Sequence, residues 1–128
     1  MNNKEAKKFV EAVYHDIWAG NNPKKFDEYY HPDVVCVAHQ PNGTELEMDF
    51  AAIKNHAAGV GKDRRKVETV FEEVVAQRNK IIARYRQRSI NTQTSEVFDL
   101  KAVFEYQLEN GKIKNIWAFF NRQWMPSK

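Results

Sequence analysis

The side chains able to do chemistry near neutral pH are few. His15, His31, His39 and His56 lie 16, 8 and 17 residues apart, with no pair at i, i+4 and no HExxH pattern, so no metal site is expected. Cys36 sits among Val34, Val35 and Val37 and reads as an inert small hydrophobe, not a nucleophile. No glycine-rich loop is present to cradle phosphate. His39 closes a short apolar run and is the candidate general base, since imidazole titrates close to neutrality; the alternative is a half-exposed histidine beside a turn. His56 follows Ile53 by three residues at the edge of an apolar helical stripe, where it points into a pocket or caps polar groups at a rim. Tyr14 and Tyr30 are candidate donors to a ligand carbonyl, because a buried phenol needs a partner. Arg122 shares strand parity with Ile116, Ala118 and Phe120; it binds a carboxylate at a pocket rim or reaches to water. His15, Asp16 and His31 read as surface or packing residues, and His31-Pro32-Asp33 as a structural motif.

The elements that must position these groups change period part-way along the chain. Ala6, Phe9, Val10, Val13, Tyr14, Ile17 and Trp18 recur at helical spacing, predicting a helix over 3–19 that Gly20 stops. Pro23 suits the first turn of a short helix over 24–29. An apolar strand over 34–38 ends at Pro41-Asn42-Gly43. A third helix over 49–59 has Asp49 as N-cap and buries Phe50, Ile53, Ala57 and Val60. Lys62–Lys66 reads as a charged loop. From Lys66 the period becomes two, predicting strands over about 66–78, 80–90, 94–109 and 112–124. Asn79-Lys80 makes the first turn and Asn110-Gly111, a strong hairpin signal, the last. Helices followed by an antiparallel meander define an α+β domain, and strands this long must twist and curl.

Composition sets the class. The chain has 128 residues, 42% apolar and 29% charged, with three Trp, five Tyr and eight Phe. That excludes a disordered tail, a collagen-like chain and a disulfide miniprotein, and it suits one domain over 1–128. One cysteine makes no internal disulfide and fits a reducing compartment. The N-terminal stretch lacks the apolar core of a signal peptide and no run approaches a membrane span, so a cytoplasmic location is expected, with no membrane partner. The net charge of +3 hides a split: 6 Lys/Arg against 9 Asp/Glu in residues 1–60, 14 against 8 in residues 61–128. Alternation puts Arg84, Arg86 and Arg88 on one strand face, between Glu68/Glu72 and Asp99/Glu105. A cross-strand charge ladder or a dimer face accounts for these arginines better than an anion site, and no nucleic-acid partner is expected.

Phe9 to Gly20 (FVEAVYHDIWAG), Tyr29 to Val35 (YYHPDVV) and Gly111-Lys112-Ile113 followed by Trp117 resemble the nuclear transport factor 2-like superfamily, in its SnoaL-like, polyketide-cyclase-like branch. The resemblance spans nearly the whole chain in element order. It implies a cone: a curved antiparallel sheet wrapped over three N-terminal helices, often a homodimer through the outer sheet face. In such a cone Tyr14, Trp18, Tyr30 and Tyr85, with Phe98, Phe104 and Phe120, would line a pocket. The base of ketosteroid isomerases of this fold falls at Ala38 or Gln40, their protonated acid near Val103, and their helix-one tyrosine on or beside Tyr14. The aspartate of the polyketide cyclases falls at Asn121, an amide that only orients or hydrogen-bonds. The usual carboxylates are thus missing. Two functions remain expected: a small hydrophobic ligand bound without cofactor, with His39 and Tyr14 transferring a proton on a carbonyl compound, or a non-catalytic ligand-binding or protein-interaction module.

Overall fold

A capping box starts the first helix. Asn2 Oδ1 accepts from the Glu5 amide at 2.8 Å, and the Glu5 carboxylate accepts from the Asn2 amide at 2.9 Å. In the computed structural model, which describes residues 1–59 and 64–122, α1 runs from Asn3 to Val13 and buries Ala6, Val10 and Val13. The continuous helix expected to residue 19 instead widens into a π-helical turn, Tyr14–Trp18, closed by the Ala19 amide donating to the Tyr14 carbonyl at 2.7 Å. A π turn carries one residue more than an α-helical turn, so the chain comes back into line after five residues instead of four. Outside it, Tyr29 Oη donates to Asp16 Oδ2 at 2.5 Å, and His15 and Lys25 also approach that carboxylate. The Tyr29 hydrogen bond leads the groups that hold the Asp16 carboxyl below its usual range, and the same bond leads those that push the Tyr29 phenol up to about 12.

A 3-10 turn at Pro23–Lys25 leads into α2, Phe26–Tyr29. The strands are β1 Tyr30–His39, β2 Glu45–Met48, β3 Arg64–Gln77, β4 Lys80–Asn91, β5 Val97–Glu109 and β6 Lys112–Phe120, with α3, Phe50–Gly59, between β2 and β3. Asp49 caps α3 as expected, accepting from the Ala52 amide at 2.9 Å. The sheet order is β2-β1-β6-β5-β4-β3. Every neighbouring pair is antiparallel except β1 and β6, which run parallel, so the curved sheet is mixed and not antiparallel throughout. β2 was not expected; Gly43, at φ +87°, turns the chain back so that Glu45–Met48 pairs with His39–Cys36. Arg64 and Arg65, read from sequence as part of a loop, belong to β3, and β6 ends at Phe120, short of the strand expected to residue 124; Val60, Lys62 and Asp63 and positions 123–124 lie outside the described residues. The first hairpin turn is Arg78-Asn79, one residue earlier than expected; Asn110 and Gly111 both take positive φ, as a type I′ turn requires. Register shifts in β3 near Lys66/Glu68 and Phe71/Glu73 bend the long strands around the helices.

Alternation gives this sheet two distinct faces. The inner face packs on α1, α2 and α3 through Tyr30, Val34, Ile81, Ala83, Ile113 and Ala118. On the outer face Arg86 bridges Glu68 at 3.0 Å, Arg84 lies 3.5 Å from Glu72, and Arg88 grips Asp99 through two nitrogens at 3.1 and 3.4 Å. The ladder read from sequence forms, apart from Glu105, which sits instead beside Ile82 and Trp117. Next to it Ile82, Val103, Trp117 and Phe119 stay exposed, Phe119 to 53%. Among the described residues no helix is long and apolar enough to cross a membrane.

Candidate ligand cavity

Between α1, its π turn, α3 and the inner sheet face lies a cavity of about 80 Å³. A buried water takes roughly 10–15 Å³ on this measure, so the space admits several waters or one compact ligand, and it falls below the ~300 Å³ floor of ordinary ligand clefts. Its wall is aromatic. Tyr85 packs edge-on or tilted against Tyr14, Phe71 and Phe104, at 6.1, 5.3 and 5.6 Å between ring centroids, and Phe104 meets Phe120 edge-on at 5.7 Å.

The π turn delivers two polar side chains to this wall. Trp18 Nε1 donates to Tyr30 Oη at 2.9 Å. Tyr14 Oη pairs with Thr69 Oγ1 at 2.9 Å, and Gln87 Nε2 donates to both, at 3.1 and 3.2 Å. Gln87 is 2% exposed; its Oε1 accepts from the Ser89 hydroxyl, itself wholly buried, at 3.3 Å. β3, β4 and the end of α1 are therefore stitched together by a neutral polar network inside an apolar wall.

The SnoaL-like domain model matches residues 10–116. The chain belongs to the SnoaL-like family. No curated protein matches this SnoaL-like chain in sequence. Its fold is shared with a provisionally named SnoaL-like polyketide cyclase from Jannaschia, at TM-score 0.73 and 13% identity over 93% of this chain and 87% of that one. It is shared also with an LEH-like epoxide hydrolase from Mycobacterium tuberculosis (0.68, 12%, 93% and 84%) and an NTF2-like protein of unknown function from Cytophaga hutchinsonii (0.61, 12%, 90% and 98%). At these identities the likeness concerns the fold.

Of the site residues read from the SnoaL-like sequence, Tyr14, Trp18, Tyr30, Tyr85, Phe104 and Phe120 come together on the cavity wall. His39 does not. Its neighbours Ala38 and Gln40 are buried, so strand alternation turns His39 to the outer face. There it stacks on Phe119 at 4.3 Å, donates from Nδ1 to the Ala118 carbonyl at 3.2 Å, and lies 3.6 Å from Glu45. A base on that face has no access to a ligand in the cavity. Ala38 and Gln40, the positions of the isomerase base, do face inward, whereas Val103 is exposed on the outer face.

Phe98, Asn121 and Arg122 also stand away from the cavity. Arg122 lies over the Phe98 ring at 4.4 Å and 3.7 Å from Glu96, while Asn121 ties the strand end by accepting from the Lys101 amide at 2.8 Å. His56 is not among the lining residues; its ring meets that of Trp18, which is, at 5.8 Å between centroids.

Sequence reading passed over Gln87, Tyr106, Phe71 and Cys36 as cavity residues. Parity alone would have found Gln87 and Tyr106, since each shares a face with a nominated aromatic, Tyr85 and Phe104. Among the described residues the cavity's ionisable groups are phenols and one thiol. Burial pushes Tyr30 and Tyr106 above their ordinary range and the Cys36 thiol up to about 12. Those three groups stay neutral at physiological pH. Among the described residues no cluster of His, Cys, Asp and Glu is placed to hold a metal.

Proposed function

We propose that this SnoaL-like protein binds a small, neutral, largely apolar molecule in the cone cavity and does so without side-chain proton abstraction. The observation that carries this reading is the wall itself: among the described residues no Asp, Glu, Lys, Arg or His lines it, and burial holds Tyr30, Tyr106 and the Cys36 thiol protonated. An ion entering such a wall would lose hydration without gaining a countercharge, whereas a neutral ring gains contact with aromatic faces. The volume supports a ligand of one ring; a polycyclic one requires lining side chains to move. The expected result is a rise in melting temperature with neutral monocyclic compounds and none with their carboxylate or ammonium analogues at equal concentration. Stabilisation by charged analogues alone would overturn the reading.

We further propose that two copies pair through the outer sheet face. Ile82, Val103, Trp117 and Phe119 present a contiguous apolar surface there, and the adjacent arginines already spend their charge on Glu and Asp, which favours protein over nucleic acid as the partner. Light scattering should give twice the chain mass for the parent and one chain mass for Phe119→Glu. A monomeric parent at tens of micromolar would refute it.

A further inference from the structure

The cavity's polar atoms are not equally available to a ligand. Gln87 uses Nε2 on Tyr14 and Thr69 and Oε1 on Ser89. Tyr14 and Thr69 are paired with each other, and Tyr30 accepts from Trp18. Tyr106 differs. It lines the cavity from β5, beside Tyr30, Tyr85 and Cys36, and its ring stacks on Phe104 at 5.7 Å. Its hydroxyl has no hydrogen-bond partner among the described residues. Tyr106 also retains accessible surface although Tyr30, Ile116 and Leu108 around it are buried, so that surface opens to the cavity.

We propose that the Tyr106 hydroxyl is the donor that selects the ligand, and that the ligand is a compact neutral molecule carrying one hydrogen-bond acceptor, a carbonyl or ether oxygen. The inference rests on the ligand-binding reading above and adds to it a recognition residue and an acceptor. The Tyr106 hydroxyl faces the cavity without a partner among the described residues, so an acceptor oxygen there gains a hydrogen bond while the rest of the ligand meets aromatic carbon. Burial keeps the phenol protonated, so it serves as a donor throughout the physiological range. An apolar isostere lacking the oxygen leaves the phenol unsatisfied and is disfavoured accordingly.

The test uses two isosteric pairs, cyclohexanone with methylenecyclohexane and acetophenone with α-methylstyrene, titrated into the full chain and into Tyr106→Phe, which removes one oxygen and adds no volume. The expected result is that the parent binds at least one ketone about three- to tenfold more tightly than its alkene, and that Tyr106→Phe erases the difference by weakening the ketone alone. The carbonyl carbon of bound 13C-labelled ketone should shift on binding the parent and shift less with the variant. Equal ketone affinity and an equal shift in the variant overturn the role of Tyr106 while leaving cavity binding intact. If neither member of either pair binds the parent, the binding reading falls and the Tyr106 proposal falls with it.

Discussion

Replacing Gln87 with Met tests whether the buried network, and not packing alone, joins the π turn to the sheet. Met keeps nearly the shape of Gln and removes both polar ends. Tyr14 and Thr69 retain their own 2.9 Å bond, so they lose a shared donor but are not orphaned. Ser89 is the loser: its wholly buried hydroxyl gives up the Gln87 oxygen that accepts from it. An unsatisfied buried hydroxyl costs about 1–3 kcal/mol, partly offset by the greater apolar character of Met, so the net loss should be about 1–2 kcal/mol. In a chain of this size that lowers the melting temperature by roughly 3–8 °C. The diagnostic is the double variant Gln87→Met/Ser89→Ala, which removes the orphan. Urea titrations of the parent, both single variants and the double should close a cycle in which the double is about 1 kcal/mol more stable than the sum of the singles requires. Additive losses would mean that Ser89 finds another partner and that the network is not a unit.

Asp16→Asn should act at neutral pH and vanish in acid. The folded carboxyl lies below the ordinary 3.8, so its stabilisation is complete above that value and drains away as pH falls through the folded value; unfolding curves for parent and variant should differ at pH 6 and converge near pH 2. Ile53→Ala, at a site 1% exposed on the cavity wall, should cost about 2–5 kcal/mol in urea titrations and admit bulkier neutral ligands. His39→Ala should leave cavity binding unchanged in the same titrations used for the ketones, since an outer-face imidazole stacked on Phe119 touches nothing inside.

Much of the fold is legible because period and turn chemistry agree. The Asn110-Gly111 turn and the alternation in β4 and β5 place the inner aromatics without reference to distant residues. The failures have physical causes. β2 is four residues long, and only its pairing with β1 makes it a strand. The π turn has no signature in spacing, because Tyr14 and Trp18 are four apart in an α-helix too. His39 was misplaced because nearness to a strand end says nothing of which face it takes, and counting alternation from buried Val34 would have turned it outward. Phe98 and Arg122 obey the inward parity of their strands yet meet each other beyond the cavity, since parity fixes a face and not a position along it.

The turn that ends α1 has a consequence for how this chain tolerates change. His15 is 70% exposed at its side chain and accepts almost any replacement as far as packing is concerned. Loss of His15 should be absorbed too. Tyr14–Trp18 holds one residue more than an α-helical turn, so without His15 the segment closes to ordinary pitch and the chain beyond it keeps its phase. In the ordinary helical turns of α1 the same loss rotates everything after it by about 100° about the axis. The segment is therefore permissive to substitution and, unlike the helix before it, to a one-codon deletion.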